Sequence, residues 1–284
     1  MTVLVPSDLD TALAALATNP DALVLAGGTD LMVGINAGEH RFDSVLALRR
    51  VSELHDVVVD EPGLVVRIGA GVTYTRLLDA DVVAHAPALA QAARTVGSPQ
   101  IRNAGTIGGN VGTASPAGDT LPVLVALGAT VELASSDGRR SLPIEAFVTG
   151  AKRTAIAPGE LITAVLVPIV RGGQEYRKVG VRNAMVIAVA SVALALDAVE
   201  ATVRVGLGSV GPVPLRAHDA EAWIASRLAW GADGAELAAS DDATKFGQMV
   251  AAAARPIDDH RSTADYRRHA IGVLAARCLR NLTT

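Results

Sequence analysis

The sequence predicts an α+β protein in three parts: a small βαβ-like unit, an α+β middle domain, and a three-stranded antiparallel sheet with helices. Three observations predict it. Short apolar strands alternate with a helix over the first fifty residues, β-rich runs bounded by turn residues begin near residue 55, and the chain turns helical beyond Pro214. With 284 residues, half of them apolar, the chain is long enough for two or three modest cores.

The first unit is expected over 1–54. Leu4 and Val5 begin a strand, and Pro6-Ser7-Asp8 precedes a helix with Leu9, Leu13 and Leu16 at helical spacing. Asn19-Pro20 ends that helix, residues 22–25 form an apolar strand running into Gly27-Gly28, and residues 44–48 form another. The middle domain is expected over 55–170. Its strands are 57–59, 64–68, 130–133 and 161–169, its helices 73–80 and 85–96, with a long glycine-rich segment at 97–118. Arg171-Gly172-Gly173 reads as a linker to the third domain, 174–284. There the strands are 175–181, 188–196 and 202–207, and the helices 215–229, 235–254 and 262–281.

Composition excludes several functions. A net charge of −4 with no basic block argues against nucleic acid as a partner. A single cysteine, Cys278, excludes a disulfide framework and an iron–sulfur cluster held by this chain alone. Asp8 and Asp10 interrupt any apolar signal core, so a cytoplasmic protein is expected. Apolar runs such as 184–196 are too short to span a bilayer. The six histidines (40, 55, 85, 218, 260 and 269) show no metal-ligand spacing, so no metal site is expected. No catalytic set is visible either; Leu207 stands where a nucleophile elbow around Ser209 needs glycine.

Two segments carry the candidate chemistry. In Val24-Leu25-Ala26-Gly27-Gly28-Thr29-Asp30-Leu31, a strand runs into two glycines. Glycine lets the backbone approach a diphosphate, and successive N–H groups there can form an anion nest. A plain turn is the competing reading on these residues alone. In Ala104-Gly105-Thr106-Ile107-Gly108-Gly109-Asn110, continuing to Pro116, small residues make a backbone-lined wall against which a flat or extended ligand can lie. Asp119 is either an acceptor for ribose hydroxyls or the N-cap of a helix at 120–127. A third segment, Gly206-Leu207-Gly208-Ser209-Val210-Gly211, matches the dinucleotide fingerprint, but Pro212 and Pro214 follow where a helix must start. A Rossmann reading is rejected.

Ala26-Gly27-Gly28-Thr29-Asp30 and Thr106-Ile107-Gly108-Gly109-Asn110 resemble the two flavin-binding signatures of the FAD subunit of molybdenum hydroxylases. Further segments are similar to that family in the same order: 68–73, 115–119, Tyr176-Arg177-Lys178, 208–212, and Asp265-Tyr266-Arg267-Arg268 with Arg277. The resemblance implies the FAD-binding fold of the vanillyl-alcohol oxidase type, in two α/β subdomains, followed by a C-terminal domain. It implies that residues 24–31 embrace the FAD pyrophosphate. Thr106, Ile107, Gly108, Gly109, Asn110 and Asp119 would hold the adenosine and ribityl portions, with Leu161, Ile162 and Lys178 near the flavin. Neither 24–31 nor 104–119 contains histidine or cysteine, so the FAD is expected to be noncovalent.

The same resemblance implies an electron-transfer subunit with no catalytic residues of its own. Its partners would be a large subunit with the molybdenum cofactor and a small subunit with two-iron clusters, assembled as a dimer of heterotrimers. A self-sufficient flavin oxidase or dehydrogenase of the same fold is the alternative.

Overall fold

The computed structural model describes residues 2–39 and 42–283; Met1, His40, Arg41 and Thr284 lie outside the described residues. In the first unit, strands Thr2–Leu4, Ser44–Ala47 and Leu23–Leu25 form a parallel sheet with Ser44–Ala47 in the middle. Helix Leu9–Thr18 is capped by Asp8, whose carboxylate accepts from the Thr11 N–H at 2.8 Å. Its apolar stripe of Leu9, Ala12, Leu13 and Leu16 is buried. That small core is completed from the middle domain by Ala70, Ala134 and Leu161, so the first unit does not bury its own face alone. A short helix, Leu31–Asn36, follows the glycine pair, where none was expected.

The middle domain is built on a five-stranded antiparallel sheet. Its order is Val57–Asp60, Val65–Gly69, Leu161–Pro168, Thr130–Ser135 and Gly138–Pro143. The central strand, Leu161–Pro168, is buried or half-buried along its whole length. Helices Ala80–His85, Pro87–Thr95 and Leu121–Leu127 pack beside it around Leu89, Leu124 and Phe147. The glycine-rich segment is not an open wall. It folds into helices Pro99–Ala104 and Ile107–Thr113 despite the poor helix propensity of glycine. Thr106 caps the second helix, and Ile107 and Val111 bury its apolar side.

In the C-terminal domain the three expected strands are Gln174–Val179, Ala190–Asp197 and Thr202–Gly208, all antiparallel, with a two-residue fourth strand, Leu215–Arg216, at the edge. The helices are shorter than the alanine-rich pattern suggests: His218–Ala225, Ser240–Ala253 and Ala264–Leu282. Residues expected to prolong two of them form instead the hairpin Leu228–Trp230 with Ala235–Leu237. Leu228 and Ala235 are buried there, and the Trp230 indole N–H donates to the Ala225 carbonyl at 3.0 Å.

The glycine pattern at 206–211 now has a packing explanation. A Cβ on Gly206 would lie 1.8 Å from the Pro122 carbonyl oxygen, so only glycine lets helix Leu121–Leu127 rest on the C-terminal sheet. Ser209 turns the strand with φ 62°, and its N–H donates to Pro116 at 2.9 Å. Among the described residues no helix is long and apolar enough to cross a membrane.

Candidate functional site

A cleft of about 1340 Å³ runs between the first unit and the middle domain. It exceeds the ~300–1,000 Å³ usual for small-molecule sites and suits an extended ligand. One wall is the turn after strand Leu23–Leu25. Gly28 has φ +72°, which reverses the chain into helix Leu31–Asn36. Among the described residues, the N–H groups of Gly28, Thr29 and Asp30 find no acceptor in the protein. Three successive unpaired donors in one turn form a concave site for anionic oxygens.

The facing wall is helix Ile107–Thr113, and here the donors are spent. Ile107 N–H donates to Val72, Gly108 N–H to Ala70, both at 2.9 Å, and Gly109 N–H to the Thr106 hydroxyl at 3.0 Å. Gly108 is pressed so tightly on Ala70 that a Cβ would lie 2.5 Å from the alanine side chain. This helix therefore offers a flat surface and the Asn110 side chain, not an anion site. Asn110 accepts from the Thr120 hydroxyl and is hydrogen-bonded to the Tyr74 hydroxyl. Burial, then the nearby Asp119 carboxylate, pushes the Tyr74 phenol well above its usual range.

Asp119 sits in the cleft wall with little exposure and is not a helix cap; Thr120 occupies that position. Its two oxygens accept from the Tyr176 hydroxyl and the Lys178 ammonium, each at 2.8 Å. Burial raises the Asp119 carboxyl pKa, opposed by the Lys178 charge and by both hydrogen bonds. Lys178 spends its other donors on the Thr95 carbonyl at 3.0 Å and the Val186 carbonyl at 3.2 Å.

Of the residues proposed from sequence, Val24, Ala26, Gly27, Gly28, Thr29, Asp30, Leu31, Thr106, Gly108, Gly109, Asn110, Asp119, Leu161 and Ile162 all line this cleft. Three do not. Leu25 packs beside Gly28, Ile107 is in the middle core, and Lys178 stands behind Asp119. The structure adds Arg49, His55, Tyr74, Lys152 and the stretch 185–187, none of which had a local sequence signal. Among the described residues no group of three or more His, Cys, Asp or Glu side chains is placed to hold a metal ion.

Comparison with known proteins covers nearly the whole chain. Residues 1–170 match the FAD binding domain in molybdopterin dehydrogenase, and residues 174–282 match the CO dehydrogenase flavoprotein C-terminal domain. The glyceraldehyde dehydrogenase medium chain of Sulfolobus acidocaldarius is 34% identical over 280 residues, covering 96% of this chain and 95% of that protein. The carbon monoxide dehydrogenase medium chain of Afipia carboxidovorans is 31% identical, with 91% and 88% covered. The solved reconstituted CO dehydrogenase from Oligotropha carboxidovorans superposes with a TM-score of 0.89 at 28% identity, over 100% of this chain and 97% of that one. The turn at Gly27-Gly28, the capped helix after Thr106 and the full-length match lead to one assignment: the chain belongs to the FAD-binding medium subunits of the molybdenum hydroxylase oxidoreductases.

Proposed function

We propose that this chain binds FAD noncovalently in the cleft and serves as the electron-transfer subunit of a molybdenum-containing dehydrogenase. The observation that carries the reading is the set of unpaired N–H groups at Gly28, Thr29 and Asp30, opposite a flat glycine-lined helix in one long cleft. Bound FAD supplies a carrier that exchanges single electrons with iron–sulfur clusters and electron pairs with an external acceptor. The chain's own residues bind and orient. The turn at 27–30 donates to the pyrophosphate, Thr106, Gly108, Gly109 and Asn110 flank the adenosine and ribityl portions, and Leu161 and Ile162 give an apolar floor near the flavin. Asp119, held by Tyr176 and Lys178, presents its carboxylate to the ribityl side.

The expected partners are a large subunit with the molybdenum cofactor and a small subunit with two-iron clusters, in a dimer of heterotrimers. The test is to load the purified chain with FAD and assay dye reduction with candidate aldehydes, purines and N-heteroaromatics. The lone chain should hold FAD and turn over none of them; activity should appear when the products of its neighbouring genes are added. Robust turnover by the lone chain would overturn the subunit reading in favour of a self-sufficient oxidase.

A further inference from the structure

Between strands Gln174–Val179 and Ala190–Asp197 the chain leaves the sheet in a loop whose residues 185–187 form part of the cleft wall. Its apolar residues are unusually open: Val181 is 70% exposed, Met185 55% and Ile187 52%. Met185 adopts φ 50°, a left-handed conformation that L residues rarely take without support. Support inside the loop comes from Arg182, whose guanidinium donates to the carbonyls of Ala184 and Met185. The loop is closed at its base by Val189 N–H donating to Val179 at 2.8 Å. Among the described residues, one hydrogen bond ties 181–188 to the rest of the protein: Lys178 Nζ to the Val186 carbonyl, at 3.2 Å.

That ammonium is itself fixed. The Lys178 side chain is 8% exposed and is held by Asp119 and by the Thr95 carbonyl at the end of helix Pro87–Thr95. A cation at a helix C-terminus is doubly placed, by its hydrogen bond and by the helix dipole. Gly180 lets the loop fold back on itself, since a Cβ there would lie 2.5 Å from Val186.

We infer that Lys178 is a positioning residue: anchored by Asp119 and Thr95, it clamps the Val186 carbonyl and so holds the 181–188 loop closed over the cofactor cleft. Its three donors are all consumed in doing so, which leaves none for a ligand in the cleft. With the clamp in place, Met185 and Ile187 shield that end of the cleft from water. Without it, among the described residues no hydrogen bond ties the loop to the rest of the protein between its two ends.

The experiment uses Lys178→Met and trypsin, which cuts after Arg182 faster the more readily the loop leaves its fixed conformation. Cleavage there, followed by mass spectrometry, should speed up about tenfold, the scale of one lost charged hydrogen bond. Cleavage after Arg139, on the exposed strand Gly138–Pro143, should not change. An unchanged rate at Arg182, or an equal rise at both sites, overturns the clamp. If Lys178→Met alone fails to fold, Asp119→Asn with Lys178→Met leaves no unpaired buried charge and is digested in the same way. Proteolysis reads the clamp without cofactor; only a second measurement rests on the FAD placement proposed above. FAD release on dilution should be about tenfold faster in Lys178→Met. Lys178→Met should then have no further effect once 181–187 is replaced by Asn-Gly. The same acceleration in the shortened loop would show that Lys178 acts on the cofactor directly, and would overturn the clamp.

Discussion

Gly27 and Ala104 touch across the seam between the first unit and the middle domain: a Cβ on Gly27 would lie 1.9 Å from the Ala104 carbonyl oxygen. The obstacle is backbone, so it cannot swing aside. Gly27→Ala should force the turn away from helix Pro99–Ala104, at a cost of about 1–3 kcal/mol or more, and widen the cleft at the anion site. FAD titration should show affinity reduced by roughly tenfold to a hundredfold for such a cost, and wild-type affinity would refute the contact.

Gly28 carries a different burden. A Cβ there would meet only the ends of Leu25 and Met32, at 3.1 and 3.3 Å, but φ +72° strains any L residue. Gly28→Ala should therefore cost about 1–2 kcal/mol through backbone strain, and a β-branched Gly28→Val should cost more. Comparing both with Gly27→Ala in the same FAD titration separates close approach from conformation.

The Asp119–Lys178 pair is buried on both sides, with 9% and 8% of the side chains exposed. Asp119→Ala leaves a buried ammonium without its counter-charge and should lower unfolding free energy by about 3–5 kcal/mol. Asp119→Ala with Lys178→Met should recover part of that loss. Urea unfolding of the three variants gives the comparison, and additive losses would contradict the pairing.

Glu132 supplies a pH dependence. Burial works to raise its pKa, yet hydrogen bonds from Arg67 at 2.8 Å and Thr163 at 2.7 Å, with the Arg67 charge, hold it below the usual glutamate range. A carboxylate whose folded pKa is depressed contributes stability that is fully present above its unfolded value, near 4.5, and is lost as pH falls through the folded value. Thermal melts from pH 6 down to pH 3 should show a fall in stability that is shallower in Glu132→Gln.

Arg267 is a joint in the C-terminal domain. Its guanidinium donates to the carbonyls of Val189 and Ser209 at 2.9 and 2.8 Å and to Asp259 at 2.7 Å. Arg267→Met should orphan the two carbonyls, while Asp259 keeps its bonds from the Arg261 and Ser262 N–H groups, and destabilise by about 2–5 kcal/mol, read by chemical unfolding. A loss under 1 kcal/mol would mean that other groups take over these acceptors.

The two glycine signatures were legible because each is local: a strand, two glycines and a small polar run identify themselves within a few residues. Helix Ile107–Thr113 was not, because four residues that favour it, Thr106, Ile107, Val111 and the partner Ala70, act through capping and burial that outweigh glycine's poor propensity. A cap stayed open for Asp119 beside the ligand-acceptor reading because Tyr176 and Lys178, which hold its carboxylate, lie 57 and 59 residues away. Alanine misled at 228–229 and 235–237, where Leu228 and Ala235 matter for what they pack against rather than for helix propensity. Arg49, His55 and Lys152 reach the cleft only through tertiary folding.

Two bodies supply the long walls of the cleft, residues 24–31 from the first unit and 70–119 and 152–162 from the middle domain, while 185–187 of the C-terminal domain line one part of it. A dinucleotide lying there touches both and acts as mortar between them. Its affinity then sets how firmly residues 2–54 are joined to the rest. Saturating cofactor at a hundred times its dissociation constant adds about 2.7 kcal/mol to the joined state. Flavin content would thus govern the lifetime of the subunit as well as its capacity to carry electrons, and a chain stripped of flavin would first come apart along the seam at Gly27 and Ala104.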